Sequence, residues 1–254
     1  TNECFMAPPT DALIERVIPR CLHVNRGASA GRRPTRALFA VGDSHMAMLV
    51  EGLRRAVGEE FQLAWVSSGS ACGVDRYGVT HSRSYCSPYA AKVVSVLRTS
   101  LMPGDVLFWH NSEYHHKSFT KAWVISVLHP IVQSASASLV MISDGPKLRE
   151  RATNCLPSAF APTALSRCDT SLSAANANQA RQKADLQSIA SSFPADTYTY
   201  DLFDLYCEES RCRATIPGTN TFWTFDGHHF TAAGGMYLWP YWCAFFSAHS
   251  WFRQ

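Results

Sequence analysis

The chain has 254 residues, of which 46% are hydrophobic and 17% are charged, and its formal net charge is +3. This length fits one large α/β domain or two small ones, and it can bury a full core without disulfides. The one basic cluster, formed by Arg26, Arg32, Arg33 and Arg36, lies in a loop with glycine, alanine and serine. We therefore expect a solvated loop and no nucleic-acid partner.

No stretch of about 18 uninterrupted apolar residues occurs, so we expect no membrane-spanning segment. The chain begins at Thr1 without a secretory signal, and we expect a mature protein or a domain cut from a longer one. Residues 1–35 predict an N-terminal arm packed on the domain, with a short helix from Thr10 to Val17 that Pro19 ends. Residues 36–254 predict a single catalytic domain.

The segment 37–45 is the centre of the functional prediction. Five apolar residues at 37–41 predict a buried strand, and Gly42 permits a sharp turn before a helix over 45–57. Ser44 then lies where a strand meets a helix N-terminus, whose N–H groups and positive potential suit an oxyanion. Ligands bind at this edge of open α/β sheets. Ser44 is therefore a candidate nucleophile, and the alternative is that it is only a helix N-cap.

Further apolar runs and helical patterns alternate along the chain. The predicted strands are 61–66, 106–109, 138–142 and 197–203. The predicted helices are 88–101, 117–134 with a kink or end at Pro130, 171–192, and a final helix capped by Thr231 and running through Phe246. This alternation predicts a three-layer α/β/α sandwich around a parallel sheet of about five strands.

Nine cysteines are many for a cytosolic enzyme, and they lack the close pairs of zinc sites. Three pairs bracket loops, namely Cys72 with Cys86, Cys155 with Cys168 and Cys207 with Cys212, so we expect three disulfides and a secreted, periplasmic or luminal location. Cys4 and Cys21 are a candidate fourth pair. Cys243 would then be a buried free thiol, although a pairing of Cys4 or Cys21 with Cys243 stays open.

A second segment, 225–235, contains a candidate base. A serine nucleophile needs a base, and that base needs a group that fixes its tautomer. Asp226 and His229 are three residues apart, which allows the carboxylate to reach Nδ1 and leaves Nε2 for Ser44. The neighbouring His228 lacks this spacing, so we expect it to line the cleft. His45 and Trp223 complete the predicted substrate-binding set, in which the Trp223 ring could stack on a sugar.

The two blocks, Gly42-Asp43-Ser44 and Asp226-Gly227-His228-His229, together resemble the SGNH/GDSL hydrolases. The match is closer to the extracytoplasmic SGNH domains fused to membrane O-acyltransferases of polysaccharides, which often have Gly-Asp-Ser-His. These domains end in Asp-x-x-His followed by an apolar residue and Ser or Thr, here Phe230 and Thr231. Plant wall-polysaccharide acetyltransferases are similar too. The resemblance spans roughly residues 36–245 and implies a flavodoxin-like fold.

The resemblance also implies an oxyanion hole and a substrate class. The donors would be the Ser44 N–H, a glycine after the second strand, with Gly69 preferred to Gly73, and the Asn111 side chain. Around Asn111 this chain lacks the glycine and the aspartate of the family's Gly-x-Asn-Asp motif, which leaves only the asparagine in common. The implied reaction is hydrolysis or transfer of carbohydrate O-acetyl groups through an acyl-serine, with no metal or organic cofactor and with a membrane acyltransferase domain as a partner.

Three alternatives remain open from the sequence. A non-catalytic carbohydrate-binding domain could use the same fold, and a lipase or thioesterase could use the same triad. A metal-dependent hydrolase could use the cluster of His110, Glu113, His115 and His116, because zinc sites need such ligands on one face.

Overall fold

The computed structural model describes residues 2–6, 10–26, 36–58, 61–69, 72, 85–112, 118–155, 164–249 and 251. The strands are β1 Phe5–Met6, β2 Arg36–Gly42, β3 Phe61–Ser68, β4 Val106–His110, β5 Ser138–Ile142, β6 Thr170–Ser171, β7 Thr197–Tyr200 and β8 Arg211–Cys212. The α-helices are α1 Asp11–Cys21, α2 Ser44–Val57, α3 Cys86–Ser100, α4 Ser118–Trp123, α5 His129–Ser134, α6 Leu172–Ser192, α7 Ala232–Tyr237 and α8 Trp239–Ala248.

The main sheet has six parallel strands in the order β1-β3-β2-β4-β5-β7. Five of these strands, β2, β3, β4, β5 and β7, are those of the prediction, and the sixth strand, β1, comes from the N-terminal arm. Without β1 the order is that of a flavodoxin-like fold, in which the strand order reverses beside the first strand. That strand is β2 here, so the residues that follow β2 lie at the switch point where ligands bind.

Alternate residues along each strand point to opposite faces of the sheet and enter two separate cores. In β2, Phe39 and Val41 pack with α1, α3 and the α4–α5 segment, whereas Leu38 and Ala40 pack with α2 and α8. Helices therefore cover both faces, and the predicted three-layer sandwich is confirmed.

Two prolines act differently from the prediction. Helix α1 continues through Pro19 to Cys21, because a proline in the last turn removes only one internal hydrogen bond. Before Pro130 the helix widens into a π-helical segment, Val124–Leu128, which accommodates the missing proline N–H.

Two other predicted elements have different bounds from those expected. The last strand of the main sheet ends at Tyr200, and a 3₁₀ turn, Phe203–Leu205, follows it. The final helix divides at Leu238 into α7 and α8. Pro240 explains the break, because it has no N–H to donate to the preceding turn.

Arg26 is not part of a solvated loop as expected. Its guanidinium pairs with the fully buried Asp105, at 3.2 Å from Nη1 to Oδ1 and 2.5 Å from Nη2 to Oδ2. Asp105 also accepts the Ala37 N–H at 2.9 Å. A buried carboxylate needs such partners, and this one joins the arm to the start of β2. Arg32 and Arg33 lie outside the described residues.

All four predicted disulfides are present: Cys4–Cys21, Cys72–Cys86, Cys155–Cys168 and Cys207–Cys212. Cys243 is the free cysteine and is half-buried rather than buried. Four disulfides indicate an oxidising compartment outside the cytoplasm. Among the described helices, none is long and apolar enough to cross a bilayer.

Candidate active site

The turn after β2 is shaped by the neighbouring strand β4. A Cβ atom on Gly42 would collide with the carbonyl oxygen of His110, its partner in the sheet. Glycine is therefore needed here because another backbone approaches closely, and not for the freedom to turn that the sequence suggested. The close approach holds the residues that follow Gly42 against the end of β4.

Asp43, not Ser44, is the N-cap of α2. Its Oδ1 accepts the His45 N–H at 2.9 Å, and its Oδ2 accepts the Ser112 N–H at 3.0 Å. The capping alternative for Ser44 is therefore wrong, because the neighbouring carboxylate already fills that role. Ser44 is the first residue of α2, and its hydroxyl remains available for another partner.

The loop before α7 is folded around the Asp226 carboxylate. Oδ1 accepts the N–H groups of His228 at 3.2 Å and His229 at 2.8 Å, and Oδ2 lies 2.6 Å from His229 Nδ1. Partial burial raises the pKa of Asp226, but hydrogen bonds from the His229 ring and from both backbone N–H groups outweigh burial and lower the pKa to about 2. Asp226 is thus a carboxylate throughout the neutral range.

The structure brings the two blocks together across 185 residues of chain. Ser44 Oγ lies 2.9 Å from His229 Nε2. The distance depends on the packing of α7 on α2, where Gly235 lies directly against the Met48 carbonyl. A hydroxyl, an imidazole and a carboxylate therefore form one hydrogen-bonded chain, the arrangement that activates a serine for attack on a carbonyl.

A second histidine–carboxylate chain lies beside the first. His45 is 1% exposed, and its Nδ1 lies 2.9 Å from Asp144 Oδ1 while its Nε2 lies 3.0 Å from His228 Nδ1. Burial alone lowers the pKa of His45, but the charge and hydrogen bond of Asp144, with smaller effects of Asp43 and Asp226, raise it to about 9. The predicted contact of His45 with substrate is wrong, because its ring is enclosed.

Sequence reasoning missed Asp144, which belongs to none of the predicted sites. Its signal was its place just after the carboxyl end of β5, at the edge of the sheet where functional residues of this architecture gather. His228 fits the prediction better, since its side chain is 38% exposed beside His229.

Trp223 cannot stack on a sugar as predicted, because it is fully buried against Tyr206 and Phe230. Phe225, which was not among the predicted site residues, is 50% exposed and stacks on the His229 ring with 5.6 Å between centroids. No feature of the sequence distinguishes the exposed aromatic residue from the buried one, because both lie in the same loop.

The predicted oxyanion donors have different surroundings. The Gly69 N–H donates to the Met6 carbonyl at 2.7 Å, where β1 pairs with β3, and is therefore not available to an oxyanion. Asn111 is buried in the loop after β4, and its backbone carbonyl accepts a hydrogen bond from Gln182 Nε2 at 2.9 Å. It follows His110, which pairs with Gly42, so it lies near the start of α2. Gly73 is outside the described residues.

Two groups of described residues have ligand atoms close enough to hold a metal ion: His45, His228 and His229, and His45, His110 and Asp144. Hydrogen bonds within the protein already engage the ligand atoms of His45, Asp144, His228 and His229. Among the described residues, His110 Nε2 has no hydrogen-bond partner and lies 3.8 Å from Asp144 Oδ1, while His110 Nδ1 lies 3.0 Å from the Ile142 carbonyl. Burial lowers the pKa of His110, so it is neutral. The other members of the predicted metal cluster, Glu113, His115 and His116, lie outside the described residues.

Comparison with known proteins gives a family and a fold. Residues 3–242 match the family model described as "SGNH domain (fused to AT3 domains)". The chain is similar to a solved structure, the periplasmic domain of a lipopolysaccharide acetyltransferase from Salmonella ser. Paratyphi A, with 13% identity and a TM-score of 0.65. The match covers 92% of this chain and 88% of that one. A search of curated proteins found no match.

The family match covers nearly the whole chain. The protein therefore belongs to the family of SGNH domains that occur fused to AT3 domains.

Proposed function

We propose that the protein is a serine-dependent hydrolase or acyltransferase that acts on O-acetyl groups of a carbohydrate. Family membership supports acyl transfer or ester hydrolysis in general. The observation that carries the catalytic assignment is the continuous chain from Ser44 Oγ through His229 to the Asp226 carboxylate, with distances of 2.9 and 2.6 Å.

In the proposed reaction, Ser44 Oγ forms a bond to the ester carbonyl carbon while its proton passes to His229 Nε2. Collapse of the tetrahedral intermediate breaks the bond to the alcohol, which leaves with that proton. Water or a sugar hydroxyl then attacks the acyl carbonyl carbon while its proton passes to His229 Nε2. The bond to Ser44 Oγ breaks, and Oγ takes that proton as the free acid or the new sugar ester is released. Asp226 orients His229 and stabilises its charged form without taking the proton.

The oxyanion would be stabilised at the N-terminus of α2. We assign this role to the Ser44 N–H, because helix N-termini present free donors and positive potential, and to the Asn111 side chain in the adjoining loop. Each such donor is typically worth about 10²–10³ in rate. This pair replaces the set that included Gly69.

Two observations support a carbohydrate as the substrate. The solved neighbour is described as a lipopolysaccharide acetyltransferase domain, and Phe225 presents an exposed aromatic face next to His229. Aromatic faces of this kind suit the apolar faces of sugar rings. The partner that we propose is a membrane acyltransferase domain, since the family's domains occur fused to AT3 domains, and the oxidising compartment would be periplasmic, luminal or extracellular.

The test is acetate release from p-nitrophenyl acetate and from acetylated xylan, with and without a chelator. The Ser44→Ala variant should lose at least about 10³-fold in kcat, because no other group supplies the nucleophile. Ser95→Ala, at an exposed position on α3, is the matched control and should keep full activity. Mass spectrometry should find the acetyl adduct on the peptide that contains Ser44.

Other outcomes point to the alternatives. A wild-type protein that binds acetylated xylan but releases no acetate would be a binding domain. Activity that survives in Ser44→Ala and disappears with the chelator would indicate a metal-dependent hydrolase. A preference for long acyl chains would indicate a lipase or thioesterase. An added acceptor sugar that gains the acetyl group distinguishes transfer from hydrolysis.

A further inference from the structure

The reaction described above leaves a buried ion pair without a role. His45 and Asp144 are both buried, 2.9 Å apart, and no step of acyl transfer uses them. Two further hydrogen bonds hold Asp144 in place. Its backbone N–H donates to Gln182 Oε1 at 3.0 Å, and its Oδ1 accepts the Gly145 N–H at 3.1 Å. An enclosed charged pair costs desolvation free energy, so its retention beside the catalytic loop needs an explanation.

The protonation of His45 determines which nitrogen of His228 carries a proton. A charged imidazole donates from both nitrogens and accepts at neither. His45 therefore donates Nδ1–H to Asp144 and Nε2–H to His228 Nδ1, 3.0 Å away. His228 must accept at Nδ1, which places its own proton on Nε2.

That Nε2 faces the catalytic carboxylate. It lies 3.6 Å from Asp226 Oδ2, the oxygen that also contacts His229 Nδ1. The separation is longer than a hydrogen bond, so the N–H acts on the carboxylate electrostatically. Burial and then the neighbouring charges of His229 and His45 lower the pKa of His228, which keeps it neutral with a single proton.

We propose that Asp144 and His45 form a second histidine–carboxylate relay, which holds His228 as the Nε2–H tautomer facing Asp226. The proposal rests on the proposed function for its kinetic consequence, but not for the tautomer itself. His45, Asp144 and His228 are positioning residues: the hydrogen bond to Ser44 Oγ comes from His229, and these three fix the carboxylate that orients His229.

The relay has a defined range of pH. The ionisable groups around His45 are Asp144 after β5, Asp43 before α2, His110 at the end of β4, and Asp226, His228 and His229 in the loop before α7. Because the folded-state pKa of His45 is raised to about 9, its ring stays charged at neutral pH and loses the charge as the pH rises through about 9. The stability that this charge contributes is fully present below the ordinary pKa near 6.5 and is lost as the pH rises through about 9. The relay should therefore be intact at neutral pH.

The test is nuclear magnetic resonance of the ring nitrogens in protein labelled with ¹⁵N-histidine, which distinguishes the two tautomers and the charged form. At pH 7, His45 should carry two protons and His228 one, on Nε2, and His45 should lose a proton near pH 9. The variants His45→Gln and His228→Gln assign the signals. A singly protonated His45 at pH 7, or a proton on Nδ1 of His228, would overturn the relay whether or not the protein is an esterase.

The kinetic consequence is tested with Asp144→Asn, which keeps the shape and removes the charge. It should lower kcat by roughly 10–100-fold, the loss expected when a catalytic group is slightly misplaced, with little change in KM. It should also move the alkaline limb of the pH–rate profile to lower pH. His129→Gln, which removes a second His–Asp contact, to Asp196, is the control and should leave the kinetics unchanged.

Two results separate the relay from the function. Unchanged kcat and pH profile in a folded Asp144→Asn would overturn the positioning role. If wild type neither releases acetate nor reacts at Ser44 with a fluorophosphonate probe, the proposed function fails while the nitrogen spectra still decide the tautomer. If Asp144→Asn does not fold, the variant Asp144→Glu, which keeps the negative charge, replaces it and should show near-wild-type spectra and rates.

Discussion

At the scale of single residues, the site is a set of polar groups whose roles depend on their neighbours. Asp43 caps α2 and thereby leaves the Ser44 hydroxyl to His229. His45 follows Ser44 directly, yet it points into the protein and pairs with Asp144. Adjacent residues at the start of a helix project in different directions, so the nucleophile and the buried histidine can serve separate hydrogen-bonded chains.

A prediction at this scale concerns Phe225. If its exposed ring contacts a sugar, Phe225→Ala should raise KM for acetylated xylan by about tenfold, since burying such a ring contributes roughly 1.5 kcal/mol or more. The kcat for p-nitrophenyl acetate should change little, because that ester has no sugar. Steady-state kinetics on both substrates measure the difference.

The controls for Phe225 are a conservative change and a distant one. Phe225→Trp should keep the low KM, and Met102→Ala, at another exposed apolar side chain, should have no effect. An equal loss on both esters would mean that the ring supports His229 and does not bind the sugar.

At the scale of elements, the site depends on helices that approach without side chains between them. A Cβ on Gly235 would collide with the Met48 carbonyl of α2, and one on Gly234 would collide with the Trp223 carbonyl. The first contact fixes α7 against α2 and the second fixes it against the preceding loop, and Thr231 caps α7 through a 2.9 Å bond from the Gly234 N–H. The loop that contains His229 is thereby held over Ser44.

Gly235→Ala is predicted to separate α7 from α2. Overpacking of this kind costs roughly 1–3 kcal/mol, so urea unfolding should show that loss of stability, and acetate release should fall with it. Ala233→Ser, at an exposed position on the same helix, is the matched control. Unaltered stability and activity in Gly235→Ala would show that the two helices can adjust without cost.

At the scale of the whole molecule, the fold gathers distant segments at one edge of a parallel sheet. Ser44 follows β2, Asp144 follows β5, and the Asp226–His229 loop reaches them from beyond β7. The N-terminal arm adds β1 beside β3, so β1 is the edge strand at the end of the sheet opposite β7. The Cys4–Cys21 disulfide joins the arm to the end of α1.

The disulfide of the arm should stabilise the folded protein by constraining the unfolded chain. Replacing Cys4 and Cys21 together by serine opens a loop with a sequence separation of 17, which should cost roughly 3 kcal/mol. Thermal unfolding without reductant should show a lower midpoint. Cys243→Ser, at the free cysteine, should change the midpoint little, and an equal midpoint for both variants would contradict a stabilising role for this bond.

Much of the fold was predictable because its signals are local. Apolar runs, helical periodicity and capping residues are encoded in neighbouring residues, and β5, Ser138–Ile142, was predicted to the residue. The pairing of Asp226 with His229 follows from a spacing of three, and three of the disulfides follow from cysteines that bracket loops. The sequence left Cys4–Cys21 as one of several pairings, and the structure selects it. The family resemblance came from two such short blocks.

The tertiary structure alone decided which segments meet and which side chains are enclosed. β1 was not predicted, because a two-residue strand has no periodicity of its own and exists only through its pairing with β3. The His45–Asp144 pair joins residues 99 positions apart. Phe225 is exposed and Trp223 is buried because Trp223 packs against Tyr206 and Phe230. Burial and long-range partners are properties of the assembled chain, because desolvation acts on a group only after other segments cover it.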